Sequence, residues 1–290
     1  VSRKAGAAAL TALLLACGGE EQTAARVDHA GYLIAVDPPA TRIVSLSPSI
    51  TELLFAIGAG DRMVGRTRWG IRPEAAADVP SVGDGLAPNI ENVVARAPDV
   101  VVFYHTPDNA ATIERLRAVG VPTLSVRMDR LEDVPVAARL LDTALGGLPA
   151  ADSLAASFES RLDSLRRVGA RPSGAPTVVM LTWGAPPIVI GGGSFLSQLV
   201  ELAGAHNLFA DLAAPSATVS LEAIAARDPD LLLFIGGGEP ALLGRPEWRA
   251  VSAVEAGRFR VIDGDAYGWP SFRSLDLIGP LSDALHPVRP

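Results

Sequence analysis

Two stretches of this chain repeat one pattern at identical spacing, and that repeat constrains the fold more than any other feature. Ile90-Glu91-Asn92-Val93-Val94-Ala95-Arg96-Ala97-Pro98-Asp99-Val100-Val101-Val102 is echoed by Leu221-Glu222-Ala223-Ile224-Ala225-Ala226-Arg227-Asp228-Pro229-Asp230-Leu231-Leu232-Leu233. Each begins as a helix. A proline then forbids more helix, because it lacks the N–H and clashes with the preceding turn. An aspartate follows in the turn. Each ends in an unbroken apolar run, the signature of a parallel strand buried on both faces. A helix–Pro–Asp–strand unit used twice argues for an α/β fold with two similar lobes.

The rest of the pattern agrees. Strand-like runs at 42–46, 63–65, 100–103 and 123–126 alternate with helix-like runs at 51–57, 90–96, 110–119 and 134–145. Residues 47–49 between the first pair read as a turn. The alternation resumes with strands at 178–181, 231–235 and 259–262 and helices at 194–203, 221–226 and 274–285. Such alternation builds βα units and a parallel sheet. Between the halves, Leu154, Phe158, Leu162, Leu165 and Val168 recur at helical spacing and mark one apolar face. At about 1.5 Å per residue, a helix here is roughly 25 Å long, a stiff rod joining two lobes. The expected organisation is a leader over 1–17, a tether over 18–40 with a short strand near 32–36, a first lobe over 41–149, a linker helix over 150–170 and a second lobe over 171–290.

Composition removes several function classes. The net charge is −7, so the basic footprint of a nucleic-acid binder is missing. One cysteine rules out an internal disulfide framework and a Cys-rich zinc site. His29, His105, His206 and His286 are too scattered for a helical pair of metal ligands. Lys4 is the sole lysine, which leaves the body of the chain without a Schiff-base lysine or a P-loop. No Gly-x-Ser-x-Gly elbow occurs. Gly191-Gly192-Gly193 and Gly236-Gly237-Gly238 lack the rest of a dinucleotide fingerprint. The expectation is a binding protein and not an enzyme, with no catalytic residue, metal centre or intrinsic cofactor.

The N-terminus reads as an address. Arg3 and Lys4 precede an apolar stretch over 5–16 whose only polar side chain is Thr11. It is shorter than the roughly 20 residues needed to span a bilayer and fits a secretory signal. It ends Leu14-Leu15-Ala16-Cys17, which resembles a bacterial lipobox. That resemblance implies cleavage before Cys17, lipid on its sulfur, and an exported, membrane-anchored lipoprotein, periplasmic or at the cell surface.

Open α/β sheets bind ligands beyond the carboxyl ends of their strands. Arg66, Arg68, Trp69 and Arg72 follow the strand at 63–65. Tyr104 and His105 follow 100–103, and Thr182, Trp183 and Gly184 follow 178–181. Asp265, Tyr267, Trp269, Phe272 and Arg273 follow 259–262. Aromatic residues make up only 5% of the chain, so their concentration at strand ends marks a cleft. Aromatic and arginine side chains there suit a flat or ring-shaped ligand, anionic or amide-rich. Glu52 and Glu222 each sit near the start of a helix, one per half, where a carboxylate complements the helix dipole.

The segment from Arg42 through Ser45-Leu46-Ser47-Pro48-Ser49-Ile50-Thr51-Glu52 to Gly65 is similar to the helical-hinge substrate-binding proteins of ABC importers. Val82-Gly83, Pro88-Asn89-Ile90-Glu91, Ala97-Pro98-Asp99-Val100-Val101, the run from Phe195 to Phe209, and Val219-Ser220-Leu221-Glu222 extend the match, which covers about 40–286. The family includes vitamin B12-, haem- and ferric-siderophore-binding proteins. The resemblance implies two Rossmann-like lobes joined by one long α-helix, with the ligand in a cleft between them. It also implies one exposed glutamate per lobe, Glu52 and Glu222, docking on an ABC permease dimer served by its ATPase. Arg68-Trp69-Gly70-Ile71-Arg72-Pro73, Trp183-Gly184-Ala185-Pro186-Pro187 and the stretch from Asp265 to Arg273 most resemble the B12 binders. The implied ligand-binding residues are Trp69, Arg68, Tyr104, His105, Trp183, Asp265, Tyr267, Trp269 and Arg273. Two cleft tryptophans of those proteins are missing: Gly85 stands at one position, and another just before Val219-Ser220 is absent. Cobalamin or a related corrinoid is the first expected ligand. Haem would use Tyr104, His105 or Tyr267 as axial ligand, and a ferric siderophore would use Arg66, Arg68 and Arg273. A non-transport scavenging lipoprotein is the remaining alternative. The protein is expected to be a monomer without nucleic-acid partners.

Overall fold

The computed structural model describes residues 27–34, 39–168, 174–237, 240 and 244–286. The leader, Cys17 and most of the 18–40 tether lie outside the described residues. The first half forms strands β1 (Ile43–Ser45), β2 (Met63–Arg66), β3 (Val100–Tyr104) and β4 (Thr123–Val126). Its helices are α1 (Pro48–Ala56), α2 (Ile90–Val94), α3 (Ala110–Ala118), α4 (Asp133–Leu145) and α5 (Pro149–Val168). The strands make one parallel sheet in the order β2-β1-β3-β4. Helix α1 begins at Pro48 and not after a turn at 47–49. Ser47 holds the extended N-cap backbone, and a proline in the first turn gives up an N–H that has no helical partner anyway.

The second half forms β5 (Thr177–Gly184), β6 (Pro187–Ile190), α6 (Phe195–Leu202), β7 (His206–Asn207), β8 (Ser216–Thr218) and α7 (Leu221–Arg227). It continues with β9 (Leu231–Gly236), α8 (Ser252–Glu255), β10 (Phe259–Asp263), α9 (Gly264–Tyr267) and α10 (Ile278–Leu285). The sheet order is β10-β9-β5-β6-β8, with β7 paired to β5. Here the expectation of parallel-type sheets needs correction. β9 and β10 are parallel to their neighbours, but β6 pairs antiparallel with β5 and with β8. Only Ala185 and Pro186 separate β5 from β6, and a two-residue connection can join only antiparallel strands. Residues 183–187 form the tip of that hairpin.

The repeated unit is repeated in three dimensions. The Asp99 carboxylate accepts from the Thr41 N–H at 2.8 Å, its hydroxyl at 2.9 Å and the Arg42 N–H at 2.9 Å, fixing the approach to β1. Asp230 accepts from the Thr177 N–H at 2.9 Å and hydroxyl at 2.7 Å, fixing the start of β5. Ala97 and Asp228, each just before the proline, adopt positive φ of 46° and 43°. The proline ring disfavours right-handed helix at the residue before it, and at both turns the backbone leaves its helix at positive φ.

Ile43, Val100 and Val102 of the first sheet share one buried apolar cluster with Val178, Met180, Leu231 and Leu233 of the second. Helices α1, α4, α5, α6 and α10 contribute to it. In α5, Ala151, Ala155, Phe158 and Leu162 are buried, and Leu154 and Leu165 pack against them, as the helical spacing demanded. Part of the expected tether is also folded. Asp28, 5% exposed, accepts from the backbone N–H groups of Ala30, Tyr32 and Ser125. The His29 N–H donates to the Ser125 carbonyl at 3.0 Å. Residues 27–34 are thereby pinned to the outer edge of β4.

Candidate ligand-binding site

The strand ends of both sheets open on one cavity of about 570 Å³. Leu46, Ser47 and Ser49 line it beyond β1, Tyr104 ends β3, and Met128 and Asp129 follow β4. Thr182 of β5 and Ile235 of β9 close the opposite side. Its walls are mostly apolar, lined by the aromatic residues Trp69, Tyr104, Phe195, Tyr267 and Trp269 and by Leu86, Ile190 and Leu196. Trp69 is 55% exposed and sits at the mouth.

Two polar residues organise the wall on the first-half side. The Tyr104 hydroxyl donates to the Asp129 carboxylate in a short hydrogen bond. Burial, and then that carboxylate, push the phenol well above its usual range. Asp129 is held by its own backbone. Its N–H donates to Asp133 Oδ2 at 2.9 Å and its carbonyl accepts from the Phe195 N–H at 2.6 Å. Asp84 also lines the cavity. The Leu86 N–H first, then Arg68, hold its carboxyl below the usual range. Sequence reading missed both aspartates. Asp129 follows a strand end, β4, and the rule that found Tyr104 applies to it equally.

Of the residues expected to bind ligand, Trp69, Tyr104, Tyr267 and Trp269 line this cavity; Arg68, His105, Trp183, Asp265 and Arg273 do not. Arg68 pairs with Asp84 at 2.7 Å, its guanidinium 5.1 Å from the Trp69 ring centre. His105 Nδ1 lies 3.1 Å from the Ser125 hydroxyl. Trp183 is 62% exposed, and its indole N–H donates to the Ala185 carbonyl at 3.0 Å. It lines a separate, smaller cavity with Phe234 and Val261. The Asp265 carbonyl accepts from Arg72 Nη1 at 2.7 Å. Arg66 is buried and donates to the carbonyls of Ala76 and Ala77 at 2.7 and 3.1 Å. Tyr267 is 5% exposed and donates its hydroxyl to the Leu277 carbonyl at 3.0 Å.

The two glutamates differ. Glu222 is exposed, and its own N–H and the Ser220 hydroxyl hold its carboxyl low. Glu52 is not the exposed carboxylate the resemblance implied. It is 4% exposed and ion-paired to Arg273, which reaches α1 from beyond β10. Gly85 lines the cavity, and a Cβ there would collide with the Leu46 carbonyl. The backbone crossing at that point excludes any side chain, so the missing tryptophan has no room.

Comparisons with known proteins agree with this architecture. A family model described as periplasmic binding protein matches residues 43–266. A vitamin B12-binding protein of Pectobacterium carotovorum subsp. carotovorum is 28% identical over 214 residues, covering 73% of this chain and 78% of that protein. The crystal structure of the periplasmic vitamin B12-binding protein of Vibrio cholerae matches with a TM-score of 0.70 at 25% identity, covering 85% of this chain and 97% of that one. A periplasmic haem-binding protein of Roseiflexus sp. RS-1 matches with a TM-score of 0.72 at 26% identity, covering 85% and 98%. With a family model spanning this much of the sequence, the chain belongs to the periplasmic binding protein family.

Proposed function

We propose that this chain is the substrate-binding component of an ABC importer, and that it captures cobalamin or a related corrinoid between two lobes joined by α5. It delivers the ligand unchanged to a permease dimer served by its ATPase. Lipid on Cys17 holds it at the membrane as a monomer, and Glu222 is its exposed docking carboxylate. Glu52 docks from the other half once Arg273 releases it.

The observation that carries the ligand is the cavity wall. Aromatic residues from both halves line it and suit a planar macrocycle. The side chains that would ligate haem iron are engaged elsewhere: Tyr104 to Asp129, Tyr267 to Leu277, and His105 outside the cavity. The arginines that would meet a ferric siderophore are likewise committed, Arg66 to carbonyls, Arg68 to Asp84 and Arg273 to Glu52. Similarity to proteins named for vitamin B12 supports the same choice.

Protein lacking residues 1–17 is titrated with cobalamin, cobinamide, haemin and a ferric siderophore, following tryptophan fluorescence with inner-filter controls. Saturable quenching by cobalamin at sub-micromolar concentration, lost in Trp69→Ala and Trp269→Ala, is expected. Silence with both corrinoids together with a Soret shift with haemin would replace the corrinoid by haem.

A further inference from the structure

The corrinoid reading leaves open how the wall tells one macrocycle from another, and the charges of the cavity bear on this directly. Asp84 and Asp129 are the only charged side chains among the described residues that line it. Asp84 is neutralised by Arg68. Asp129 is not, because its hydrogen-bond partner is the uncharged Tyr104 hydroxyl. The adjacent Arg130 turns away, donating to the Gly192 carbonyl at 2.9 Å and pairing with Glu132. Two further wall residues carry unmet polar atoms. Asn109 is 1% exposed and Thr67 is fully buried, yet Asn109 Oδ1 and Thr67 Oγ1 have no hydrogen-bond partner. Asn109 Nδ2 donates to the Tyr104 carbonyl at 2.9 Å, which sets the amide so that Oδ1 is the atom left without a partner. Buried acceptors without donors are costly and call for a donor.

We infer that Asp129 and Asn109 form an acceptor wall that reads N–H donors, so that the site takes a macrocycle with a carboxamide periphery and rejects one with a carboxylate periphery; the Thr67 hydroxyl, which can donate or accept, does not discriminate between them. This inference rests on the corrinoid reading and names the feature of the ligand that the site selects. A carboxamide offers two N–H donors to such a wall. A carboxylate offers none and meets the Asp129 charge in a low-dielectric space where no lining arginine offsets it. The raised phenol of Tyr104 keeps its proton and so serves as a neutral donor to Asp129.

The test compares two pairs of probes by fluorescence titration at pH 7.5. Cobinamide carries carboxamides on the corrin ring; cobyrinic acid is the same ring bearing carboxylic acids. Haemin and its dimethyl ester differ in charge alone, because an ester has no N–H to offer. The wild type is expected to bind cobinamide about a hundredfold more tightly than cobyrinic acid, in the range by which hydrogen-bonding sites reject analogues that leave them unpaired. Asp129→Asn keeps the acceptor for Tyr104 and removes the charge, and should narrow that ratio about tenfold by improving cobyrinic acid. Asn109→Leu should narrow it by weakening cobinamide. Asp163→Asn, an exposed change on α5, controls for net charge and should leave the ratio alone. Near-ultraviolet circular dichroism checks that each variant is folded. Equal binding of the two corrinoids, or a ratio that Asp129→Asn does not move, overturns the acceptor wall and leaves the corrinoid reading standing. If neither corrinoid binds and the haem dimethyl ester outcompetes haemin, the corrinoid reading falls and the wall's rejection of carboxylates stands. If neither corrinoid binds and haemin binds as well as its ester or better, both fall.

Discussion

Removing Arg273 should expose the cost of a carboxylate buried for a partner. Glu52 is on α1 in the first half and Arg273 is beyond β10 in the second, so their ion pair ties the two sheets across the chain. The side chains are unequal: Glu52 is 5% exposed and Arg273 50%. Breaking a fully buried pair by deleting one partner costs about 3–5 kcal/mol. Arg273 is half solvated, so water reaches the vacated position and screens the remaining charge. Roughly half the buried figure, about 2 kcal/mol, is then expected for Arg273→Ala. Glu52→Gln leaves a cation that water already serves, and should cost only about 0.5–1 kcal/mol. The double variant Glu52→Gln/Arg273→Ala buries no charge. It should therefore be more stable than Arg273→Ala alone, with a coupling of about 1.5 kcal/mol. Urea unfolding reads each value as a change in midpoint at constant slope. Two equal small losses, or a double variant no better than Arg273→Ala, would refute the reasoning, because Glu52 would then have been paying nothing for its burial.

Three other perturbations have signs fixed by the structure. His29 Nδ1 accepts from the Arg127 N–H at 3.0 Å, which puts the ring proton on Nε2, and burial first, then Arg127, lower its pKa below the ordinary 6.5. The unfolded segment therefore binds a proton more readily than the docked one, so docking of 27–34 on β4 is firm above about pH 6.5 and weakens as pH falls; amide exchange at Ser125 and Arg127, corrected for intrinsic rate, should accelerate between pH 7.5 and 5.5, and His29→Gln should flatten that dependence. Phe158 of α5 is 4% exposed within the shared core, so Phe158→Ala should cost about 3–5 kcal/mol in urea and show one cooperative transition, whereas two separated transitions would show that the core does not couple the sheets. Gly85→Ala forces a Cβ against the Leu46 carbonyl, and should lower both the thermal midpoint and ligand affinity; a variant with wild-type affinity would show that the cavity wall yields there.

What sequence could and could not reveal follows from the range of each interaction. The two helix–Pro–Asp–strand units were legible because their physics is local: the proline ends the helix, and the aspartate caps a strand at a fixed offset. The linker helix was legible because its apolar face repeats every three to four residues. The β5–β6 hairpin was not, because Trp183-Gly184-Ala185-Pro186-Pro187 contains two prolines and reads as a breaker, while the apolar β6 beyond it has no helix to announce it. At the site, Trp69, Tyr104, Tyr267 and Trp269 were found by their place after strands, whereas Phe195, which opens α6, was not. The arginines in the same places were misjudged for a physical reason. A guanidinium has five donors on a long stem and is drawn to whichever carboxylate or carbonyl cluster the fold brings near. Arg68 is 16 positions from Asp84, and Arg72 is 193 from Asp265. Glu52 and Arg273 are still further apart in sequence, and only the completed fold brings them together. Once those pairs are subtracted, the cavity changes character: a cleft that sequence order lined with cations becomes an apolar, aromatic chamber in which, among the described residues, Asp129 is the lining charge without a counter-ion. The selectivity of the site thus depends less on which charged residues follow the strands than on which of them the fold has already used.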